Sequence, residues 1–216
     1  MKTLKEIYLE QNSAGRTTDK NTGYRRHLDL YEQLLVPYRE TAKKVFEIGI
    51  RGGGSLNLWA AYFTQAEVYG LDNQQQSVDL VEPPSKGFLV DQSSKSQLVT
   101  FGAQHGPFDI GIDDGSHVWS HQILSFQALW PFISPGGLYV IEDTLTSYPQ
   151  WLKHSKAYAR GIKFDTGGVS AMKYFKDLVD DINFHGYQHH KPNVYQATID
   201  WIGFRHNAIF LRKVNG

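Results

Sequence analysis

The sequence contains no cysteine among its 216 residues. Disulfide frameworks, thiol nucleophiles and zinc–thiolate clusters are therefore excluded. The 22 Lys and Arg residues balance the 22 Asp and Glu residues, so the formal net charge is zero with histidine neutral. Because the chain lacks the basic excess that phosphate backbones require, we expect no nucleic-acid partner.

Long uninterrupted apolar segments are also missing. Residues 118–141 carry no Asp, Glu, Lys or Arg, but Pro131, Pro135 and a Gly-Gly pair would break a membrane-spanning helix. The first residues, MKTLKEIYLEQNS, carry charges and lack the apolar core of a signal peptide. We therefore expect a soluble, cytoplasmic protein that does not bind a membrane.

The remaining composition is that of an ordinary globular protein. Hydrophobic residues make up 41% of the chain and charged residues 20%, which excludes a disordered or collagenous chain. The length suits one domain, and we expect residues 1–216 to form it. Residues 1–40 are predicted to be a polar helical extension with a break between residues 13 and 23.

Short apolar segments alternate with helical ones after residue 43. Strands are predicted at 44–50, 67–71, 86–90, 108–112 and 137–141, with helices at 56–63 and 118–129. This order indicates an α/β fold with a doubly wound, mostly parallel sheet covered by helices on both faces. A helix at 171–184 and a C-terminal antiparallel hairpin with strands at 196–204 and 208–212 follow. The hairpin favours the class I methyltransferase (Rossmann-like) variant over a dehydrogenase one.

Acidic residues follow each predicted strand. Asp and Glu also favour turns and helix N-caps, which would explain any one of them alone. Ligands of open α/β sheets bind outside the carboxyl ends of the strands, so acids after five successive strands indicate one common cleft.

The first turn, EIGIRGGGS (residues 47–55), is rich in glycine. It matches neither the dinucleotide fingerprint nor the phosphate-binding P-loop, but Gly49 and Gly53 allow the backbone to approach a ligand closely. Ser55 is predicted to cap the following helix, and Gly49, Gly53 and Ser55 of this turn are predicted cofactor-binding residues. Glu47 lies in an apolar strand and needs a hydrogen-bond donor, which favours a cationic or amino-bearing cofactor.

Two further strand ends extend this interpretation. Asp72 stands where a carboxylate can accept hydrogen bonds from ribose hydroxyls, and Asp91 and Gln92 are suited to an adenine edge. An adenosine-containing ligand without a pyrophosphate indicates S-adenosylmethionine.

A second acidic group follows the fourth and fifth strands. Asp114, Glu142 and Asp143 supply three hard oxygen ligands of the kind that suits Mg²⁺. His117 is predicted to open the next helix and to act as a general base toward a hydroxyl that the metal acidifies. The alternative is an ordinary helix cap by Asp114 or Ser116.

His121 is predicted to share a helix face with His117, at zinc-ligand spacing. Because the intervening residues lack the Glu of the metalloprotease motif, we do not assign His121 to a metal.

Six segments of the sequence form a recognisable set: TDK (residues 18–20), EIGIRGGGSLNLWAAYF, VYGLDN, DQSS, FDIGIDDGSH and PGGLYVIEDTLTSY. Together they resemble the Mg²⁺-dependent and S-adenosylmethionine-dependent sugar O-methyltransferases, a family that tailors macrolides and other glycosylated natural products. The cephalosporin hydroxylase-like proteins form a related branch. The resemblance implies cofactor binding through motifs that include Glu47, Gly49, Asp72, Asp91 and Gln92, with Asp113 and Ser116 close by.

The same resemblance implies roles for the second acidic group. Asp114, Glu142 and Asp143 match the metal-binding carboxylates, and His117 matches the catalytic base. The expected substrate is a sugar hydroxyl in a small-molecule glycoside, held through two adjacent hydroxyls.

Some members of the family carry a large extra N-terminal domain. This sequence has only about 40 residues before its first predicted strand. Residues 144–168 are predicted to form a lid over the site, in which Tyr148 and Trp151 either stack on a sugar or pack internally. The sequence leaves the oligomeric state open; the resemblance is compatible with a homo-oligomer in which a neighbour completes this lid.

Three other functions stay open at this point. The acceptor could be a catechol or another vicinal diol, or the chain could be a non-catalytic cofactor-binding accessory protein. A metal-dependent hydrolase would explain the acids but not Glu47, Asp72 and the glycine turn.

Overall fold

One seven-stranded sheet contains all the strands of the computed structural model, which describes residues 1–21, 27–148, 168–183, 195 and 197–216. The strands are β1 (Lys44–Ile48), β2 (Glu67–Asp72), β3 (Lys86–Leu89), β4 (Phe108–Asp113), β5 (Ile133–Glu142), β6 (Ile199–Arg205) and β7 (Ala208–Lys213). Their order across the sheet is β3-β2-β1-β4-β5-β7-β6. The first five strands pair in parallel, whereas β7 is antiparallel to both β5 and β6. The predicted parallel sheet with a C-terminal hairpin is confirmed.

The helices cover both faces of this sheet. Within the described residues they are α1 (Leu4–Ser13), α2 (His27–Leu35), α3 (Gly54–Tyr62), α4 (Gln75–Val78), α5 (Lys95–His105), α6 (Trp119–Leu129) and α7 (Ala171–Asn183). Short 3₁₀ turns occupy Val36–Tyr38, Trp130–Phe132 and Thr144–Ser147. No helix in these ranges combines the length and the apolar character needed to cross a bilayer.

Two apolar cores lie on opposite faces because successive strand residues point to opposite sides. On one face Phe46 and Tyr139 pack with residues of α5, α6 and α7. On the other face Val45 and Phe210 pack with residues of α1, α2 and α3. The N-terminal helices are therefore part of the covering layer and lie beside the strands that carry the acids.

Strand β5 begins earlier than the sequence predicts, at Ile133 rather than residue 137. The predicted strand left out Pro135 and Gly136, which are residue types that usually interrupt strands. The parallel ladder between β4 and β5 shifts register between Phe108 and Ile110, and Gly136 adopts a φ of 72° there. The irregular register accommodates a proline inside the strand.

The start of α3 corrects one prediction. Gly53, with a φ of 74°, takes the N-cap position, and the helix begins at Gly54. Ser55 is therefore not the cap; its hydroxyl instead donates a hydrogen bond to Glu47 at 2.5 Å.

The start of α6 corrects a second prediction. His117 has a left-handed φ of 58°, which no helical residue adopts, and the helix begins two residues later at Trp119. His117 and His121 therefore do not share a helix face. Neither Asp114 nor Ser116 occupies the N-cap position, which Val118 takes without a side-chain capping bond; Ser116 Oγ accepts from the backbone N–H of Val118 at 3.3 Å, just before the helix.

Candidate active site

A cavity of about 760 Å³ opens at the carboxyl edge of the parallel strands. This volume lies in the range of small-molecule and cofactor sites. Eight of the predicted site residues line it: Gly49, Ser55, Asp72, Asp91, Gln92, Asp114, His117 and Asp143. The other four, Glu47, Gly53, Asp113 and Glu142, are not among its lining residues. We call the part beside residues 48–55, 71–74 and 90–92 the glycine half, and the part beside residues 114–117 and 143 the acid half.

Asp72 shapes the glycine half. One of its carboxylate oxygens accepts hydrogen bonds from the backbone N–H groups of Ile50 (3.0 Å) and Arg51 (3.2 Å). The other accepts from the backbone N–H of Gln74 at 2.9 Å. The predicted ribose-binding carboxylate is thus at the cavity wall and is oriented by the glycine turn.

Gly49 joins the two halves. Its φ is 97°, and a Cβ at this position would lie 2.3 Å from the backbone oxygen of Asp114. Only glycine satisfies both the left-handed backbone and the close approach of the acid half.

Gln92 supports the acid half from behind. Its Nε2 donates to Asp113 at 2.7 Å, and its Oε1 accepts from the backbone N–H of Ser116 at 2.8 Å. Burial raises the pKa of Asp113 to about 7. Contact of Gln92 with an adenine edge stays a prediction, and it would have to coexist with these two hydrogen bonds.

Asp91 is the more exposed member of the predicted pair. Its carboxylate accepts from the backbone N–H and the hydroxyl of Ser93, at 2.8 and 2.7 Å. The bond from the Ser93 hydroxyl, together with the one from its backbone, lowers the pKa of Asp91. An ionised acceptor therefore stands at this end of the glycine half.

A buried lysine lies between the acids of three parallel strands. The ammonium of Lys20, whose side chain is 1% exposed, is 2.6 Å from Asp114, 2.6 Å from Glu142 and 3.0 Å from Glu47. The phenol of Tyr31 also donates to Glu142, at 2.5 Å. The donor that Glu47 was predicted to need is therefore supplied by Lys20 and Ser55 of this chain.

The electrostatics of this group favour an ionised lysine. Burial alone lowers the pKa of Lys20, but the charges of Asp114, Glu142 and Glu47 outweigh it and raise this pKa well above its usual value. Burial, reinforced by the charge of Asp114, raises the pKa of Glu142 to about 8. Burial also raises the pKa of Glu47. Ionisation of all three acids around one ammonium would leave a net negative charge that a further cation would offset.

Asp143 and His117 face each other across the acid half. The Nε2 atom of His117 lies 3.4 Å from Asp143 Oδ2, and Asn207 Nδ2 donates to Asp143 Oδ1 at 2.5 Å. Both His117 and Asp143 adopt left-handed backbone, with φ of 58° and 54°. Such conformations each cost about 1–3 kcal/mol outside glycine and concentrate at functional sites.

Two groups of side chains offer ligand atoms within 4.8 Å of one another among the described residues. One is Asp114, His117 and Asp143; the other is Glu47, Asp114 and Glu142, which surrounds the ammonium of Lys20. The predicted metal ligands Asp114, Glu142 and Asp143 are thus divided between the two groups, with Asp114 in both. Coordination of one ion by all three stays a prediction.

Sequence reasoning missed three residues that support these acids. Lys20 appeared only within a motif that carried the family resemblance, Tyr31 lay unmarked in the predicted helical N-terminal segment, and Asn207 lay between the two predicted strands of the hairpin. No local pattern pairs them with Glu142 or Asp143, because each comes from a distant part of the chain. The spacing of buried residues along α2 includes Tyr31, but this spacing does not indicate which group its hydroxyl contacts.

The predicted lid falls mostly outside the described residues. Its first residues form the 3₁₀ turn Thr144–Ser147, and Tyr148 is 39% exposed. Trp151 lies outside the described residues, so stacking by Tyr148 and Trp151 stays a prediction.

Comparisons with known proteins agree with this geometry, although no protein-family model matches the chain. The 8-demethyl-8-alpha-L-rhamnosyl tetracenomycin-C 2'-O-methyltransferase of Streptomyces olivaceus is 35% identical over 201 residues, covering 88% of this chain and 51% of that protein. The mycinamicin VI 2''-O-methyltransferase of Micromonospora griseorubida is 42% identical over 126 residues, covering 55% of this chain and 31% of that protein. The chain therefore spans about half the length of the first of these relatives.

Solved structures give the same result. The MycE methyltransferase from the mycinamycin biosynthetic pathway, in complex with Mg and SAH, superposes with a TM-score of 0.81 at 30% identity, over 96% of this chain and 54% of that one. An O-methyltransferase from Bacillus cereus, at 16% identity and a TM-score of 0.52 over 98% of this chain and 90% of that one, shares the fold. By sequence and by structure, the chain is a homologue of the sugar O-methyltransferases of macrolide and tetracenomycin pathways.

Proposed function

We propose that this chain is a Mg²⁺-dependent O-methyltransferase that moves a methyl group from S-adenosylmethionine to a sugar hydroxyl of a glycoside. One observation carries the proposal: a single cavity joins the glycine half, with Asp72, to the acid half, with Asp114, His117 and Asp143. The relatives support it by name, since they are O-methyltransferases of glycosylated natural products.

The glycine half suits the nucleoside part of the cofactor. Asp72 presents a carboxylate to ribose hydroxyls, and its bonds to the turn hold it in place. The turn offers no phosphate-binding motif, which agrees with a cofactor that lacks a pyrophosphate. The SAH bound to MycE is such a nucleoside.

The acid half fits a hard divalent cation. Asp114 and Asp143 offer carboxylate oxygens at its edge, and the ammonium of Lys20 already occupies a cationic position beside Asp114 and Glu142. This donor chemistry is what Mg²⁺ prefers. When bound, Mg²⁺ would orient the sugar oxygens and lower the pKa of the reacting hydroxyl.

His117 is the group proposed to take the proton. Its Nε2 contacts Asp143, and its buried Nδ1 has no hydrogen-bond partner within the part of the chain that the structure describes. In the transfer, the new bond joins the sugar oxygen to the methyl carbon, and the carbon–sulfur bond breaks with its electron pair left on sulfur. The hydroxyl proton goes to His117, so the products are the methyl ether, S-adenosylhomocysteine and a protonated imidazole.

The sugar is favoured over a catechol as acceptor by the names of the relatives, of which one was solved together with mycinamycin VI. The accessory-protein alternative is disfavoured because the acid half keeps both His117 and its carboxylates. A cytoplasmic location, a single domain over residues 1–216 and a homo-oligomer are further proposals that come from the sequence.

Thermal unfolding with S-adenosylhomocysteine tests the proposal first. At about 100 times its dissociation constant a ligand adds about 2.7 kcal/mol, which corresponds to about 5–10 °C in Tm for a chain of this size. We expect this shift with S-adenosylhomocysteine and a further one with Mg²⁺ that EDTA reverses. NAD serves as the matched control, because it carries the same adenosine but also a pyrophosphate.

Methyl transfer is then measured by mass spectrometry on a panel of rhamnosides, other glycosides and catechols, with and without EDTA. Metal-dependent methylation of a glycoside is the expected result. Absence of any shift from S-adenosylhomocysteine in folded protein would remove the methyltransferase assignment, and methylation of catechols alone would change the acceptor.

A further inference from the structure

Residues 17–20 pass across the glycine half of the cavity. Thr17, Thr18 and Asp19 line this cavity, although they lie far in sequence from the turn that they face. The approach is close: a Cβ on Gly54 would lie 1.9 Å from the backbone oxygen of Thr17. This short segment therefore forms part of the wall against which a cofactor would rest.

Two exposed ion pairs tether the same segment weakly. Arg16 lies 3.0 Å from Glu82, and Asp19 lies 3.4 Å from Arg51, with more than a third of each side chain exposed. Exposed pairs of this kind contribute little to stability, since solvent screens them.

Lys20 provides the strong attachment. Its ammonium is buried and contacts acids from β1, from the end of β4 and from β5. Removing a cation from such a site leaves buried carboxylates without compensation, which is costly. Lys20 therefore ties the segment that lies over the glycine half to the acids beside the acid half.

We propose that Lys20 is a positioning residue that fastens residues 17–20 over the glycine half, so that cofactor affinity depends on a charge held in the acid half. The inference rests on the proposed function for the identity of the ligand. It assigns Lys20 no contact with the reacting atoms.

The first test compares Lys20→Met with Arg16→Met, a matched control that removes an exposed cation four residues earlier. We expect Lys20→Met to weaken S-adenosylhomocysteine binding by about tenfold or more, as coupling between protein sites typically does. Arg16→Met should stay within about threefold of the wild type. Equal affinity of Lys20→Met and the wild type, measured by titration calorimetry, would overturn the inference.

A second test separates fastening from general stability. Lys20→Met/Glu47→Gln removes one buried negative charge together with the cation, and Glu47→Gln alone gives the baseline. We expect the double variant to regain Tm relative to Lys20→Met while its affinity for S-adenosylhomocysteine stays low. Recovery of affinity together with Tm would show that Lys20 only stabilises the fold.

A third variant leaves every charge in place. Gly54→Ala should push Thr17 away from α3 and weaken the same ligand, even if Lys20→Met fails to fold. Trypsin cleavage after Arg16, followed by mass spectrometry without any ligand, should be faster in Gly54→Ala and in the folded double variant than in the wild type. Unchanged cleavage in both would also overturn the inference.

These readouts distinguish the two proposals. If the wild type does not bind S-adenosylhomocysteine, the proposed function fails, and the cleavage after Arg16 still decides whether Lys20 fastens the segment. If the wild type binds and the variants bind equally well, only the role of Lys20 is wrong.

Discussion

The two halves of the cavity are lined by different kinds of chemical group. The glycine half is formed mainly by the backbone of a turn that has positive φ at Gly49 and Gly53. Asp72 accepts hydrogen bonds from two other N–H groups of this turn, those of Ile50 and Arg51. The acid half is made of charged side chains, held by partners such as Lys20 and Asn207 that come from opposite ends of the chain. The turn of the first half is one local sequence, although Asp72 and residues 17–20 reach it from elsewhere in the chain, whereas the second half is assembled from side chains that are distant in sequence.

This difference separates two kinds of function. Changes in the glycine half should alter cofactor affinity. Changes in the acid half should alter metal dependence and the chemical step, with Lys20, which is proposed to act on cofactor affinity, as the exception. Variants that affect both quantities equally would break the distinction.

The largest effect is expected for Asp114→Ala. Loss of an oxygen shared by both candidate ligand groups should lower activity by about 10³-fold and abolish its dependence on Mg²⁺, since a bound metal contributes several kcal/mol to the transition state. Affinity for S-adenosylhomocysteine should fall much less, because Glu47 and Glu142 still hold Lys20. Activity is measured against Mg²⁺ concentration, with Asp177→Ala, an exposed acid of α7, as the control. Full metal-dependent activity in Asp114→Ala would contradict its assignment.

The next effect concerns His117. Its replacement by Asn, which tolerates the left-handed backbone at this position, should reduce turnover by about 10²-fold because the general base is lost. His117→Ala should give a similar fall plus some loss of stability. Single-turnover rates and the affinity for S-adenosylhomocysteine are measured on the same preparations. A loss of affinity as large as the loss of rate would show that His117 is structural.

Asp72→Ala probes the glycine half. Removing its hydrogen bonds to the turn and to the proposed ribose should weaken S-adenosylhomocysteine by about 10–100-fold, since bonds to a charged group each contribute about 1.5–3 kcal/mol. The Mg²⁺ concentration for half-maximal activity should not change. Calorimetry gives the first quantity and initial rates at saturating cofactor give the second. A changed Mg²⁺ requirement would connect Asp72 to the acid half and break the comparison.

The smallest effect is expected for Asn207. Loss of its amide should raise the Mg²⁺ concentration needed for half-maximal activity by about tenfold, since partners that orient a metal ligand typically contribute 10–100-fold. Asn207→Gly keeps the φ of 63° without strain, whereas Asn207→Ala adds a backbone cost. Similar Mg²⁺ curves in both variants would assign the effect to the amide. An effect confined to Asn207→Ala would assign it to the turn.

The strand ends and the glycine turn could be predicted from the sequence because their signals are local. Apolar segments alternate with helical ones, and carboxylates such as Asp72 and Asp114 follow the strands at once, so the parallel sheet places them at one edge. The neighbouring positions of β4 and β5, which bring Asp114 near Asp143, followed from the same pattern and are confirmed.

The errors have a common physical origin. Ser55 was predicted as a cap from its position after glycines, but the buried carboxylate of Glu47 captures its hydroxyl. His117 was assigned to a helix, but its backbone is left-handed in a turn packed on Gln92. In each case a tertiary contact outweighs a local conformational preference. The preference can be read from the sequence, but the tertiary contact cannot.

The distance of Lys20 and Asn207 along the chain has a consequence for synthesis. Because a chain emerges from its N-terminus, Lys20 is available before any of the three carboxylates that later surround it, and each of these acids can be buried beside a cation. Asn207 emerges after all of them and enters with the hairpin of β6 and β7. The hydrogen bond that orients Asp143 can therefore form only after nearly the whole chain has been synthesised.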